Sequence, residues 1–290
     1  MLSVKSCILL YQSAFSKTKH EQAIKDIRDF FLDTEGNDEY LNDFYFTIEN
    51  VEKALLSLPS NSAAGPDGVP SELLKCAAKG LREPLWYLYR KSLDSGQPLE
   101  NVYSAAISPI FKGGNKNEPQ KYRPVSLTSH IVKVFERLLK RALVNHLEDN
   151  KLINEEQHGF RMNRSTMTQL IEFYEKIIEY SEPGTVVDAV YLDYAKAFDK
   201  VSHSILLKKI KNNAKISGKI GRWLQNFLTN RTQYVVVNGK TSERIRVLSG
   251  VPQGTVIGPI LFLIMISDIG NNIINHMSMF ADDTRIYGKV

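Results

Sequence analysis

Cysteine is nearly absent: the 290 residues hold two, Cys7 and Cys76, and they form no CxxC spacing. That excludes a disulfide framework and leads to the expectation of a reducing, intracellular compartment. No apolar stretch approaches the roughly 20 residues that a membrane helix requires. The opening MLSVKSCILLYQS is too polar, and its apolar run too short, for a secretory signal. A soluble chain with no membrane partner is therefore expected. The six histidines show no HxxxH pair and none neighbours a cysteine at ligand spacing, which argues against zinc. GxSxG, P-loop and dinucleotide fingerprints are also missing, so serine-hydrolase, NTPase and Rossmann chemistry find no support. There is no internal repeat and no low-complexity segment.

What is present is ordinary globular material. Hydrophobic residues at 43% and charged residues at 24% suffice for a real core and argue against disorder. The net charge of +5 is compatible with a polyanionic partner. Its distribution leaves two readings open. Lys208, Lys209, Lys211, Lys215, Lys219 and Arg222 crowd one stretch, and Lys133, Arg137, Lys140 and Arg141 another. Both lie on segments of helical apolar spacing, so each reads either as a solvated helix face or as a phosphate-tracking one.

Apolar periodicity and turn residues predict helices over 20–32, 47–57, 71–81, 83–94, 131–149, 165–180, 203–210, 219–228 and 259–266. Residues 33–39 read as a polar loop, and Pro183-Gly184 as the stop of the sixth helix. Ser71 is the expected cap of SELLKCAAKGL, with Leu73, Leu74 and Ala77 inward. Strands are expected at 105–111 and 186–193. Asn238-Gly239 should turn a hairpin between 233–237 and 241–247. The terminal MSMFADDTRIYG, from 277 to 288, reads as strand, turn, strand. Regular βαβ alternation is missing, so the class is α+β.

Two acidic endings carry the chemistry. Asp193 closes VVDAVYLD, and Asp282-Asp283 lies in the terminal element. Taken alone, a DD pair in a hairpin is a turn, because Asp tolerates left-handed backbone and bonds its own chain. If the two strands share a sheet, three carboxylates converge and require a counter-charge. Hard divalent cations supply one, and two such ions about 3.5–4 Å apart suit phosphoryl or nucleotidyl transfer.

The context of those acids resembles a known family. LDYAKAFDKVSH around Asp193, GVPQGTVIGPIL at 250–261 and FADD at 280–283 are similar in order and spacing to the palm motifs of reverse transcriptases. The nearest likeness is to non-LTR (LINE-type) retrotransposons. AAGPDGVP at 63–70, ISPIFKGG at 107–114, YRPVSL at 122–127 and EQHGFRMNRST at 156–166 agree. The resemblance implies a right-hand polymerase fold and an RNA-directed DNA polymerase working with RNA template, DNA primer and dNTPs. It implies two Mg²⁺ ions, with Mn²⁺ as a substitute, held by Asp193, the Tyr194 carbonyl, Asp282 and Asp283. Phe198 falls at the steric gate that excludes a ribose 2′-hydroxyl. Gln253 and Gly254 fall beside the incoming nucleotide, and Lys112 and Arg123 at the triphosphate. Arg161 and Arg164 are the expected template-phosphate contacts. Asp199 and His203 are motif residues expected to fix the turn into the following helix. The family often carries a lysine just ahead of the AxGPDG turn; Ser62 stands there, so that basic contact is not carried over.

The expected organisation is an N-terminal extension over 1–46, fingers and upstream motifs over 47–185, and a palm over 186–290, with the polymerase domain at about 93–290. Seven residues follow FADD, too few for the family's further palm segment, primer-gripping hairpin and thumb, and no nuclease motif precedes it. The expectation is a chain cut short after its acidic motif. An inert fragment that only binds nucleic acid, and a group II intron or retron-type enzyme, are the rival readings.

Overall fold

The computed structural model describes residues 30–31, 39–181, 185–271 and 273–289. Apart from Phe30, Phe31 and Glu39, the helix expected over 20–32 and the loop over 33–39 lie outside the described residues, as do Cys7 and the Pro183-Gly184 stop.

Helix α1, Ile48–Leu56, starts where Thr47 and Asn50 cap each other reciprocally, each side chain accepting the other's backbone N–H. Its Val51, Ala54 and Leu55 are buried, as the spacing predicts. Two helices follow, as expected, but the break between them falls at Ala77 rather than after Leu81: α2 (Ser71–Cys76) and α3 (Ala78–Ser95). Pro70, extended at φ −69°, takes the cap position, and Ser71 is buried in the first turn with no capping bond. Leu74 occupies the inner face and leaves Leu73 59% exposed. Helix α3 stops at Gly96, whose φ of +67° is the left-handed cap glycine adopts without strain.

Helix α4, His130–Asp149, buries the expected stripe of Val132, Phe135, Leu138, Leu139 and Leu143. Helix α5, Thr166–Tyr180, is capped by Ser165. Helices α6 (His203–Asn212), α7 (Gly218–Thr229) and α8 (Gly258–Ile266) complete the set among the described residues. Trp223 of α7 is fully buried against Phe135 and Phe227.

Two sheets position the site. In the first, β1 (Ser104–Phe111) pairs antiparallel with β2 (Tyr122–Leu127) and parallel with β4 (Thr232–Val237). The short β5 (Lys240–Thr241) and β6 (Ile245–Arg246) both pair with β4, so the expected second hairpin strand is present in two pieces. Strand β2 has no counterpart in the sequence reading, because its Pro124 argues against a paired strand. Pro124 faces Pro109 across the ladder. The bonded register includes Lys112 donating to the Lys121 carbonyl at 2.8 Å, so both prolines fall at positions where the hairpin asks for no N–H. In the second sheet, β3 (Val187–Leu192), β8 (Asp283–Lys289) and β7 (His276–Phe280) run antiparallel in the order β3-β8-β7.

The main core, from Phe31 through Phe135 and Trp223 to Ala281, is built by the helices and the loops between them, while Ala105, Ile107 and Val235 of the first sheet form a small cluster of their own. The main core and the β1–β4 pairing both cross the 185/186 line drawn from the sequence. Among the described residues, no helix is long and apolar enough to cross a membrane.

Candidate active site

The last cross-strand pair between β3 and β8 is Leu192 with Thr284. One residue further along β3 stands Asp193, and one residue earlier on the partner stands Asp283. Between β7 and β8 the chain turns through Ala281 and Asp282. The two acidic endings therefore meet at one end of one sheet, the condition that the sequence reading set. The turn is tight because Ala281 takes a left-handed φ of +55°.

Asp193 and Asp282 line a single cleft together with Tyr194, Phe198, Lys112, Arg123, Gln253 and Gly254. Every expected metal and nucleotide contact except Asp283 is in that lining. Asp283 opens β8, paired with Phe280 and exposed. A second wall of the cleft is the β1–β2 hairpin, whose outer end carries the exposed cations Lys112 and Arg123. Phe198 stacks on Phe262 of α8 with ring centroids 4.1 Å apart, and Phe160 meets its ring edge-on at 6.2 Å.

The third wall is the 249–255 loop, which is seated by backbone bonds on both sides. Val251 and Gly250 donate to the carbonyls of Phe198 and Val201 at 2.9 and 2.8 Å, and Ser126 donates to Gln253 at 2.8 Å. At Gly254, φ is +103° and an added Cβ would lie 2.5 Å from the Ser126 carbonyl oxygen, so only glycine fits. Asp199 and His203 serve this loop rather than the turn into α6. Gln253 donates through Nε2 to Asp199 Oδ1 at 3.2 Å, and His203 Nε2 donates to the Gly250 carbonyl at 2.8 Å. Burial holds the Asp199 carboxyl above the usual carboxylate range, against the pull of Lys196 and Lys112.

Arg161 and Arg164 stand outside the cleft and are committed to acids of their own chain. Arg161 grips Glu148 at 2.9 and 2.5 Å, its side chain 7% exposed, and Arg164 pairs with Glu155 at 2.9 Å. Neither presents a free guanidinium to a template. Three cations from the two basic stretches are likewise engaged within the chain. Lys219 bridges Asp43 and Asp94 at 2.9 and 2.6 Å, Lys209 binds Asp268, and Arg137 donates to Ser57 on α1.

Sequence reasoning also missed Glu136. It is fully buried on α4 and accepts the N–H groups of Val256 and Ile257 at the head of α8, directly after the VPQG loop. Burial pushes its pKa up from 4.5 to about 7, although those amides, Arg231 and Lys133 pull it down. A raised folded-state pKa gives stability that is complete below the unfolded value and lost as pH rises through the folded one. Wild-type stability is therefore expected to fall by about 3 kcal/mol between pH 4.5 and 7 through this group. Glu136→Gln, which keeps an acceptor, should remove that slope. Urea melts of both proteins across pH 4.5–8 measure the difference; parallel curves would refute it.

For an oxygen-seeking divalent cation the donor set is right in kind: two carboxylates and a backbone carbonyl, all hard oxygens. Among the described residues no three His, Cys, Asp or Glu side chains form a complete site by themselves. The rest of the coordination would fall to water and substrate phosphate, as magnesium sites usually arrange.

Over residues 112–289 the sequence matches the family described as "Reverse transcriptase (RNA-dependent DNA polymerase)", and the chain belongs to that family. Families of this kind generally use divalent metal ions. Among curated proteins the chain is similar to the "Probable RNA-directed DNA polymerase from transposon BS" of Drosophila melanogaster, 31% identical over 225 residues, which is 77% of this chain and 24% of that protein. It is 29% identical over 252 residues to the "RNA-directed DNA polymerase from mobile element jockey" of the same species, 84% of this chain and 27% of that one. A third relative there, the "Probable RNA-directed DNA polymerase from transposon X-element", is 34% identical over 184 residues, 63% of this chain and 19% of that protein. The likeness to non-LTR retrotransposon polymerases that the motif order implied is thereby shown. The chain spans about a quarter of the length of the first two relatives.

Proposed function

We propose that this domain extends a DNA primer on an RNA template, residues 47–185 serving as fingers and 186–290 as palm of a right-hand polymerase. The observation that carries the reading is the convergence of Asp193 and Asp282 with Lys112 and Arg123 in one cleft. Carboxylates on one wall and cations on another match the two ends of a nucleotide triphosphate in reaction. The primer 3′-hydroxyl attacks the α-phosphorus of a dNTP; the new O3′–P bond forms as the bond to the β-phosphate oxygen breaks, and pyrophosphate leaves. Lys112 and Arg123 hold the triphosphate and stabilise the charge that gathers on the leaving group. Phe198, fixed by Phe262, closes the space beside the sugar C2′. Gln253, oriented by Asp199, and Gly254 present a polar edge and bare backbone to the nascent pair. Asp193, the Tyr194 carbonyl and Asp282, with Asp283 beside them, are the ligands for Mg²⁺. Bound there, two such ions (Mn²⁺ substituting) would make the primer oxygen a better nucleophile and neutralise pyrophosphate charge.

Template and primer are held chiefly through phosphates in this reading, so binding should weaken steeply with salt. The engaged state of Arg161 and Arg164 favours bracing of the motif loop over template contact. The test is extension of a labelled DNA primer on an RNA template with dNTPs and Mg²⁺. Elongation supports the polymerase; template binding without elongation supports the inert fragment instead.

A further inference from the structure

The EQHGFR stretch draws attention to its arginine, yet the residue that touches the acidic turn is Gln157. Its side chain lies 1% exposed beneath Ala281, the residue immediately before Asp282. A primary amide presents one acceptor and one donor, the same pair that a peptide unit presents. Gln157 uses both on a single residue. Oε1 accepts the Ala281 N–H at 2.8 Å, and Nε2 donates to the Ala281 carbonyl at 3.2 Å. Oε1 also accepts the Gly159 N–H at 2.7 Å, which orients the amide from its own side.

Backbone contacts lock this arrangement. His158 donates to the Met279 carbonyl at 2.8 Å, and Met279 donates to the Glu156 carbonyl at 2.9 Å. A Cβ on Gly159 would lie 2.4 Å from the Ala281 nitrogen, so the two chains touch backbone to backbone. Ala281 needs the support. Its φ of +55° is a left-handed angle that an L-residue with a Cβ adopts at a cost, and glycine or asparagine is the usual occupant.

We infer that Gln157 is the positioning residue of the acidic turn. By satisfying both backbone groups of Ala281 it holds the left-handed angle there, and that angle sets the direction in which Asp282 enters the cleft. The significance of Asp282 rests on the polymerase reading, but the clamp itself does not.

Hydrogen exchange followed by mass spectrometry tests the clamp in the whole chain without metal, template or dNTP, so an inert domain would still show it. Gln157→Met keeps the bulk and loses both hydrogen-bonding groups. It removes both bonds to Ala281 and the one from Gly159 and should raise exchange over 279–283 by at least about tenfold, the factor that a single net hydrogen bond supplies, while α4 and β1 keep wild-type protection. Ala281→Gly, which relieves the left-handed angle, should recover part of that protection in the double variant. Unchanged exchange over 279–283 would overturn the inference, and so would an equal rise in every segment. Should the Met variant fail to fold, Gln157→Glu decides. A carboxylate still accepts the two N–H groups but repels the Ala281 carbonyl, whereas its protonated form donates to it. Corrected exchange over 279–283 in that variant should then fall as pH drops from 8 to 5; a pH-independent rate refutes the clamp. In a chain active in extension, Gln157→Met should lower kcat while leaving KM for dNTP near the wild-type value.

Discussion

Asp282→Asn is expected to reduce primer extension by at least about 10³-fold, and Asp193→Asn equally. Both acids line the cleft that Lys112 and Arg123 face, and both stand at the same end of the β3-β8-β7 sheet. Asparagine preserves size and can still accept hydrogen bonds, but it removes the negative charge that a divalent cation requires. A loss of about 4 kcal/mol of transition-state stabilisation corresponds to that factor. Asp283→Asn provides the contrast. Its side chain is exposed and lies outside the cleft lining, so its loss should cost about tenfold or less. The measurement is single-nucleotide addition at saturating dNTP, with thermal melts showing that all three variants fold as the wild type does. Equal losses at 282 and 283 would mean that the turn rearranges when substrate binds. Near wild-type activity in either Asp193→Asn or Asp282→Asn would remove the two-carboxylate mechanism.

The second large effect concerns the choice of sugar. Phe198→Val should lower the preference for dNTP over rNTP by about 100-fold, read as the ratio of kcat/KM for the two. The size follows from packing. Forcing an extra group against a fixed wall costs about 1–3 kcal/mol, and 2.7 kcal/mol is a factor of 100. The wall is fixed because the Phe198 ring stacks on Phe262, itself 3% exposed in α8, and is met edge-on by Phe160. A ring held from two sides cannot swing away from a 2′-hydroxyl. The same contacts mean that Phe198→Val should also cost about 1–3 kcal/mol of stability, visible in urea unfolding. An unchanged sugar preference despite that loss would leave Phe198 a packing residue only.

How much of this was legible beforehand differs from residue to residue for physical reasons. Most helices were readable because their apolar faces repeat at 3.6 residues, as in α4, whereas α8 was readable as an unbroken apolar run with a proline in its first turn; both lie within one residue of their expected bounds. The capped starts of α1 and α5 were readable because Thr47 and Ser165 act locally. Strand β2 was hidden by Pro124, since the sequence does not reveal which residues of a strand turn their N–H outward. At Leu73 the failure is one of phase: a helix that begins one residue differently presents a different side. The cleft residues were readable through the motifs they belong to, but their supports were not. Gln157, Glu136 and Asp199 act on chain segments 124, 120 and 54 positions away. No local pattern encodes such a partner. The arginines of HGFRMNRST drew the template role because they are charged, while their nearby acids Glu148 and Glu155 already held them.

The two prolines that face each other in the β1–β2 hairpin bear on how this protein behaves among copies of itself. A strand that pairs on one side points alternate N–H groups at its open side, and those groups invite a stranger's strand. At Pro109 and Pro124 that outward group does not exist. The outer half of the hairpin, past the last β1–β4 pair at Ile107 with Val235, thus lacks an outward N–H donor at the middle of each flank. Its exposed apolar side chains, Ile110 and Phe111, are carried on a ribbon that cannot readily template a fibre. Pro124→Val would restore an amide on one flank and should make the concentrated protein more prone to aggregate.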